Sequence, residues 1–390
     1  MATTFPDGFL WGTATAAHQV EGGNWNNDWW AWEHAEDTPC EEPSGDACDQ
    51  WWRYPDDLDL LAGLGFGAYR FSLEWSRIEP EYGEFSTAAL DHYRRVIQAC
   101  RDREVMPVVT FHHFTTPRWV AAEGGWANPV TADRFAAFCE RCVGHFGDEI
   151  GMACTINEPN IVSLMGWLMG MFPPGASMDL DGWAVANDTL RAGHRKAYDA
   201  LKEGPGDFPV GLTLSMGDWA AEPGSEHLIE PFRAGHEDQY LEAARGDDFV
   251  GVQCYSRTRV GPSGAVGPEA GVAVLPMGYE FWPQAAEAAI RHAVDVAGTP
   301  VYVTENGIGT DDDDQRVRYV RGALEGVART IDDGLDVRGY FYWSLLDNFE
   351  WVFGYRMRFG LVGVDRPTQV RTVKPSAAWL GEVVRSNGIS

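Results

Sequence analysis

Eight short apolar, β-rich runs recur along the chain, and longer amphipathic stretches separate them. The runs are Leu10–Ala16, Ala68–Leu73, Met106–His112, Met152–Ile156, Val210–Ser215, Phe249–Cys254, Val301–Thr304 and Val337–Trp343. Between them lie patterns with helical period, such as Thr87–Arg103, Thr131–Phe146 and Pro283–Ala297. Apolar strands that alternate with helices are covered on both faces, so they run parallel. Eight such units predict a closed (β/α)8 barrel, with its active site at the C-terminal face. An open doubly wound sheet is the alternative, and it suits six or seven strands better. No linker or internal repeat divides the chain, so residues 1–390 are expected to form one barrel domain. The Gly/Pro-rich segment Gly261–Gly271 is expected to be a βα loop after the sixth strand. The run Asp311–Asp314 is expected to be a solvated loop after the seventh, since its spacing is not that of an EF-hand calcium loop.

Charge narrows the ligand. Fifty-eight acidic and 30 basic residues give a net charge of −28, which argues against a nucleic-acid or anionic membrane partner. Seventeen tryptophans pack a core or offer flat faces to a pyranose ring. The seven cysteines have no zinc-like spacing; Cys139 and Cys142 fall in a helical pattern and read as buried thiols. No charged segment followed by an apolar stretch opens the chain and no apolar run reaches spanning length, so a soluble, cytoplasmic protein is expected.

In such a barrel the reactive groups stand at the C-terminal strand ends. Strand 4 ends in Asn157-Glu158-Pro159 and strand 7 in Glu305-Asn306-Gly307. Two carboxylates facing each other across the barrel mouth are what glycosidic-bond hydrolysis needs. Around them fall His18, Gln19 and Glu21 after strand 1, Arg70 and Glu74 at strand 2, and His112 and His113 at strand 3. Gln253, Cys254 and Tyr255 end strand 6, while Trp343, Asp347, Asn348, Glu350 and Trp351 follow strand 8. This mixture suits a neutral polyol and lacks the Gly-rich turn or basic cluster that a phosphate requires. His112 and His113 are neighbours on a strand, so one is expected to face the lumen and the other the helices.

The motifs FPDGFLWGTATAAHQVEG, YRFSLEWSRIEP, TINEP, MGYEFWP, VTENG and YWSLLDNFEWVFGYRMRFG span nearly the whole chain. On these the sequence resembles the family 1 glycoside hydrolases, which are retaining β-glucosidases and β-galactosidases. The resemblance implies that Glu158 is the acid/base and Glu305 the nucleophile. It implies that Asn157 holds the sugar 2-hydroxyl and that Gln19, His113, Glu350 and Trp351 bind the 3-, 4- and 6-hydroxyls. Trp343 would floor the sugar site, Phe359 would pack near the 6-position, and Arg70 and Tyr255 would hold the nucleophile. Two departures stand out: Gln253-Cys254-Tyr255 replaces the usual Asn-Tyr-Tyr, and His113-Phe114 replaces His-Trp. The intact Asn348–Trp351 motif sets aside the phospho-glycosidase branch, and Glu158 sets aside the plant thioglucosidases.

The expected reaction is double displacement at a terminal β-D-glycosyl residue, with no metal or organic cofactor. Retaining enzymes hold the two carboxyls ~5–5.5 Å apart, so one proton is shared unequally between them. Arg70 and Tyr255 are expected to keep Glu305 anionic while Glu158 stays protonated. A transglycosidase with the same residues and a non-catalytic sugar-binding barrel are the competing readings.

Overall fold

The computed structural model describes residues 3–389. Eight parallel strands close into a barrel: β1 (Leu10–Ala14), β2 (Ala68–Ser72), β3 (Met106–His112), β4 (Met152–Asn157), β5 (Val210–Ala221), β6 (Phe249–Gly261), β7 (Val301–Asn306) and β8 (Val337–Trp343). Each pairs with its sequence neighbours, and β8 pairs with β1 to complete the ring. All eight coincide with the apolar runs of the sequence. The helices Thr87–Arg101, Val130–Phe146 and Ala285–Ala297 occupy the expected amphipathic stretches. Their apolar faces pack on the outward strand residues to form the main core.

The lumen is filled in two tiers. Ala68, Val108, Met152, Cys154, Phe249 and Phe341 form a small apolar plug at the N-terminal end. Two residues further along the same strands come the polar Arg70 and Thr110. A regular strand would continue this alternation. Near their ends β4 and β7 break it. Cys154 pairs with Gly211 and Asn157 with Thr213, so three residues of β4 span two of β5. Val252 pairs with Val303 and the next residue, Gln253, with Glu305, so Thr304 is an extra residue in β7. Such bulges re-aim the side chains that follow. Here they turn Asn157 and Glu305 toward the lumen, immediately before the loops that carry Glu158 and Gly307.

Two expectations from the sequence need correction. The segment Gly261–Gly271 is not wholly loop: β6 runs on to Gly261, and Gly264–Val266 turns back as an antiparallel hairpin strand. The strand is long because β5 extends with it, Asp218–Ala221 pairing with Arg257–Val260 above the barrel rim. Asp311–Asp314 is solvated, with Asp311, Asp312 and Asp314 exposed, but only its first half is loop. Asp312 caps the helix Asp313–Asp332 by accepting from the Gln315 amide, and Asp313 accepts from Ser376 and pairs with Arg316. The seven cysteines are all free thiols, six of them buried.

Arg316 links the loops after β7 and β8. Only 1% exposed, it donates to the carbonyls of Ile308, Thr310, Arg358 and Phe359 and to the Tyr342 hydroxyl. Arg316→Met keeps the volume of the stem but strips these acceptors and leaves Asp313 without its partner. A loss of about 3–5 kcal/mol of unfolding free energy is expected, by analogy with breaking a buried ion pair from one side. Denaturant unfolding monitored by tryptophan fluorescence measures it.

Candidate active site

A cavity of about 330 Å³ opens at the C-terminal end of the barrel. Glu158 and Glu305 both line it, with His113, Trp343, Glu350, Trp351 and Phe359. The structure thus brings these residues, singled out in the sequence, to one place. Gln19, Arg70 and Asn157 are fully buried just behind the lining. His18, Glu21, Glu74 and Asp347, also at strand ends, do not line the cavity; each is tied into a supporting network. His18 lies between Glu33 and Asn27, Glu21 meets Arg77 and Tyr93, Glu74 meets Asn27 and Thr115, and Asp347 meets Lys374.

Glu305 is held from three sides. Arg70 Nη1 donates to its Oε1 at 2.5 Å, Gln253 Nε2 to the same oxygen at 2.9 Å, and Tyr255 OH to Oε2 at 2.5 Å. Arg70 is itself fixed by Thr110 Oγ1 at 3.0 Å and by Asn157 Oδ1 at 2.5 Å. Gln253 Nε2 also reaches Asn157 Oδ1 at 2.8 Å. The unusual Gln at the end of β6 thus acts as a donor shared by Glu305 and Asn157. Cys254, the other changed residue of that triplet, points away from the lumen into the main core, so it leaves the site untouched.

Glu158 has a different environment. It stands just past β4 with a left-handed backbone, φ 44°, as do Phe114 (φ 69°) and Trp351 (φ 52°), two other residues of the lining. Each such residue holds about 1–3 kcal/mol of strain, a feature concentrated at functional sites. Burial and the nearby charge of Glu305 push the Glu158 carboxyl well above the usual range, against the pull of Arg70 and a hydrogen bond with Ser215. Burial also raises Glu305, but there Arg70 and Tyr255 oppose it at close range. When the two carboxyls hold one proton between them, it resides on Glu158. Burial and the Glu305 charge push Glu350 up to about 8.

The two adjacent histidines face opposite ways, as expected. His112 accepts from Trp126 Nε1 at 3.2 Å in the helical layer. His113 lies 3.2 Å from Asn157 Nδ2 and stacks toward Trp343, ring centroids 5.8 Å apart. Burial and the Arg70 charge hold His113 well below its ordinary value, so it is neutral. Gln19 Nε2 donates to the Phe349 carbonyl at 2.8 Å and lies 3.4 Å from Glu350 Oε2, while its Oε1 has no hydrogen-bond partner among the described residues. Tyr255 and Phe359 meet edge to face. Sequence reasoning missed Ser215, the last residue of the fifth apolar run, and Tyr279, on a loop with no periodic pattern; both line the cavity. Among the described residues, no group of three or more His, Cys, Asp or Glu is placed to hold a metal, and no helix is long and apolar enough to cross a membrane.

The geometry agrees with the comparisons to known proteins. The chain is 33% identical over 446 aligned residues to a 1,4-β-D-glucan glucohydrolase of Thermotoga neapolitana, covering 99% of each chain. It is 33% identical to β-glucosidase A of Thermotoga maritima over 99% of this chain and 98% of that one. Among solved structures, the β-glycosidase BGL167 superposes with a TM-score of 0.93 at 49% identity, covering 99% of this chain and 98% of the other. A family 1 β-glucosidase from Thermotoga maritima superposes at 0.93 with 31% identity over the full length of both. The model of glycosyl hydrolase family 1 matches residues 1–257 and 272–389 and leaves 258–271 as the internal stretch unmatched. With a (β/α)8 barrel and two glutamates at the ends of its fourth and seventh strands, the chain belongs to glycosyl hydrolase family 1.

Proposed function

We propose that this enzyme is a retaining β-glucosidase in which Glu305 attacks the anomeric carbon and Glu158 serves as acid and then base. The observation that carries the assignment is the unequal support of the two carboxyls. Arg70, Gln253 and Tyr255 all donate to Glu305, which favours its anion. Glu158 is raised well above the carboxylate range, which favours its acid form. Glu305 displaces the aglycone while Glu158 protonates the departing oxygen, and a glycosyl ester forms on Glu305. Esterification removes the charge that raised Glu158, so its proton affinity falls and it can then take a proton from water. Asn157, fixed by Arg70 and Gln253, holds the 2-hydroxyl. Gln19 offers its free Oε1 to the sugar beside His113, Glu350 and Trp351. Trp343 gives the ring a flat floor, and Phe359 closes the far side. The substrate is a β-glucoside, which the glucosidase names of the relatives support.

A β-glucoside carrying fluorine at C2 and an activated aryl leaving group tests the nucleophile directly. It should increase the protein mass by one fluoroglucosyl residue, and the label should map to the peptide containing Glu305. Label on any other residue sinks the assignment.

The pH dependence follows from the same supports. Activity needs Glu305 ionised, so it is lost as falling pH protonates that carboxylate. It also needs Glu158 protonated, so it is lost as rising pH removes that proton. Since Glu158 is raised well above its ordinary value, the alkaline limb of kcat/KM is expected above the carboxylate range. Glu350, at about 8, titrates in the same region. Glu158→Gln separates the two: its profile on an activated aryl glucoside should lack the Glu158 limb. An unchanged limb in that variant would assign it to Glu350.

A further inference from the structure

We infer that a second cavity on the catalytic face, walled by Trp25 and Trp52, binds a β-linked glucan chain away from the active site. The glucosyl identity of the chain rests on the β-glucosidase reading, while the aromatic site goes beyond it. Of the 17 tryptophans, Trp25 and Trp52 are the ones that stand mostly in solvent, 63% and 74% exposed. Among the described residues, neither has a ring partner, a cation over its face or a hydrogen bond at Nε1, and neither packs on the core. Yet both line one cavity of about 420 Å³. Exposed apolar residues scattered singly are ordinary surface, but two free indoles at one concave place are not.

The first two β/α units build this cavity. Trp25 lies in the loop after β1, and Trp51 and Trp52 open the helix Gln50–Leu64 that leads to β2. Arg77 belongs to the helical turn after β2, and Arg95 to the helix Thr87–Arg101. The loops after the strands and the starts of the helices lie at the C-terminal end of such a barrel, so the cavity shares that face with the active site. No residue lines both spaces. Trp51 is the fixed part of the wall. His92 stacks on it with ring centroids 3.5 Å apart, and the Arg77 guanidinium, anchored to Glu21 at 3.1 Å, lies 4.0 Å from its ring centre.

The polar groups of the wall suit hydroxyls. Among the described residues Arg95 makes no hydrogen bond or ion pair, so its N–H groups are free to donate. Asn26 Nδ2 is spent on the Ser76 and Pro80 carbonyls, which leaves Oδ1 as an acceptor. Ser86 Oγ accepts from the Ala89 amide and keeps its own proton to donate. Flat carbon faces beside uncommitted donors and acceptors match a pyranose, with its apolar face and rim of hydroxyls. Two indoles on separate elements offer two such platforms, hence a chain rather than one sugar. Charge also favours a neutral ligand. Glu21 balances Arg77, and burial with the Arg95 and Arg77 charges holds His92 down to about 4, so it is neutral. One free arginine in a chain of net charge −28 attracts an anion weakly.

Native electrophoresis through a gel containing soluble mixed-linkage β-glucan tests the site. The polymer should slow the parent relative to a gel without it. Trp25→Ala/Trp52→Ala should bind it at least about fivefold more weakly, taking each ring contact at the worth of an aromatic pair. Its kcat/KM on an aryl β-glucoside should be unchanged. Trp343→Ala should show the converse, with activity lost and retardation kept. An unretarded parent, or equal retardation of the double variant, overturns the site. If the two indoles instead join two copies of the chain, sedimentation would show a dimer that the double substitution splits, with no shift caused by glucan, and the site is again overturned. Retardation of a parent that hydrolyses no glucoside would sink the proposed function and leave the site standing.

Discussion

Glu305→Gln is expected to lower kcat on an aryl β-glucoside by at least about 10⁴-fold, equivalent to ~5.5 kcal/mol of barrier. The amide has the shape of the carboxylate but cannot form the glycosyl ester. Its oxygen can still accept from Arg70 and Gln253, and its NH₂ can donate to the Tyr255 oxygen once that hydroxyl turns. The site geometry should therefore survive. Electrostatics should not. Arg70 is fully buried, and Glu305 is the anion it pairs with at 2.5 Å. Removing one partner of a buried ion pair typically costs about 3–5 kcal/mol, so a lower melting temperature should accompany the lost turnover. The two readouts separate a nucleophile from an ordinary charge partner. A variant that melts lower yet turns over near the parental rate would leave Glu305 a structural residue.

The barrel was legible because its signal is repeated. Each run from Leu10–Ala16 to Val337–Trp343 is weak alone, but eight in alternation with helical patterns admit few architectures. The ends of the strands were legible only in part. The sequence places Asn157, Glu158 and Glu305 in TINEP and VTENG, but strict alternation from Cys154 and Tyr302 would not turn Asn157 and Glu305 inward. The bulges at β4 and β7 do that, and no residue type announces a bulge there: neither glycine nor proline occupies Thr155, Ile156 or Thr304. The same holds for the extended ends of β5 and β6. Gly261, Pro262 and Gly264 read as a break, and they are the turn of a hairpin whose first strand had already passed the rim. Turn residues show where a chain reverses, not how far the strand before it runs.

Gln253 departs from the pattern of the family and still reaches the site. Asn at the end of β6 would be one methylene shorter. The longer amide here contacts both Glu305 and Asn157, so a single donor couples the proposed nucleophile to the residue proposed to hold the 2-hydroxyl. Arg70 makes the same bridge from the other side. The two carboxylate oxygens are thus fixed before substrate arrives, which is the preorganisation that makes charged donors effective in a buried site. Among the described residues, Glu158 has one side-chain hydrogen bond, to Ser215, and no cation at contact distance. The asymmetry between the two glutamates is therefore one of ligation more than of burial, since both are buried to within a few per cent.

That asymmetry sets the second large effect. With Glu158→Gln, alkyl glucosides and cellobiose should lose about 10²–10⁴-fold in kcat/KM, the usual worth of general acid catalysis. A dinitrophenyl glucoside should lose far less in kcat/KM, because its leaving group departs without a proton. Its kcat should still fall, since no base then activates water against the ester on Glu305. The ester should accumulate, and KM should fall with kcat. A small anion such as azide needs no base, and the variant no longer repels it with a carboxylate. Azide should therefore restore kcat on the dinitrophenyl substrate and yield the β-glucosyl azide, the configuration that attack on the α-linked ester requires. Equal losses on alkyl and dinitrophenyl substrates, or an α-azide product, would be incompatible with Glu158 as acid/base of a double displacement. If azide rescued Glu305→Gln instead, giving the α-azide by direct attack, the two roles would still stand, because that outcome replaces the nucleophile rather than the base.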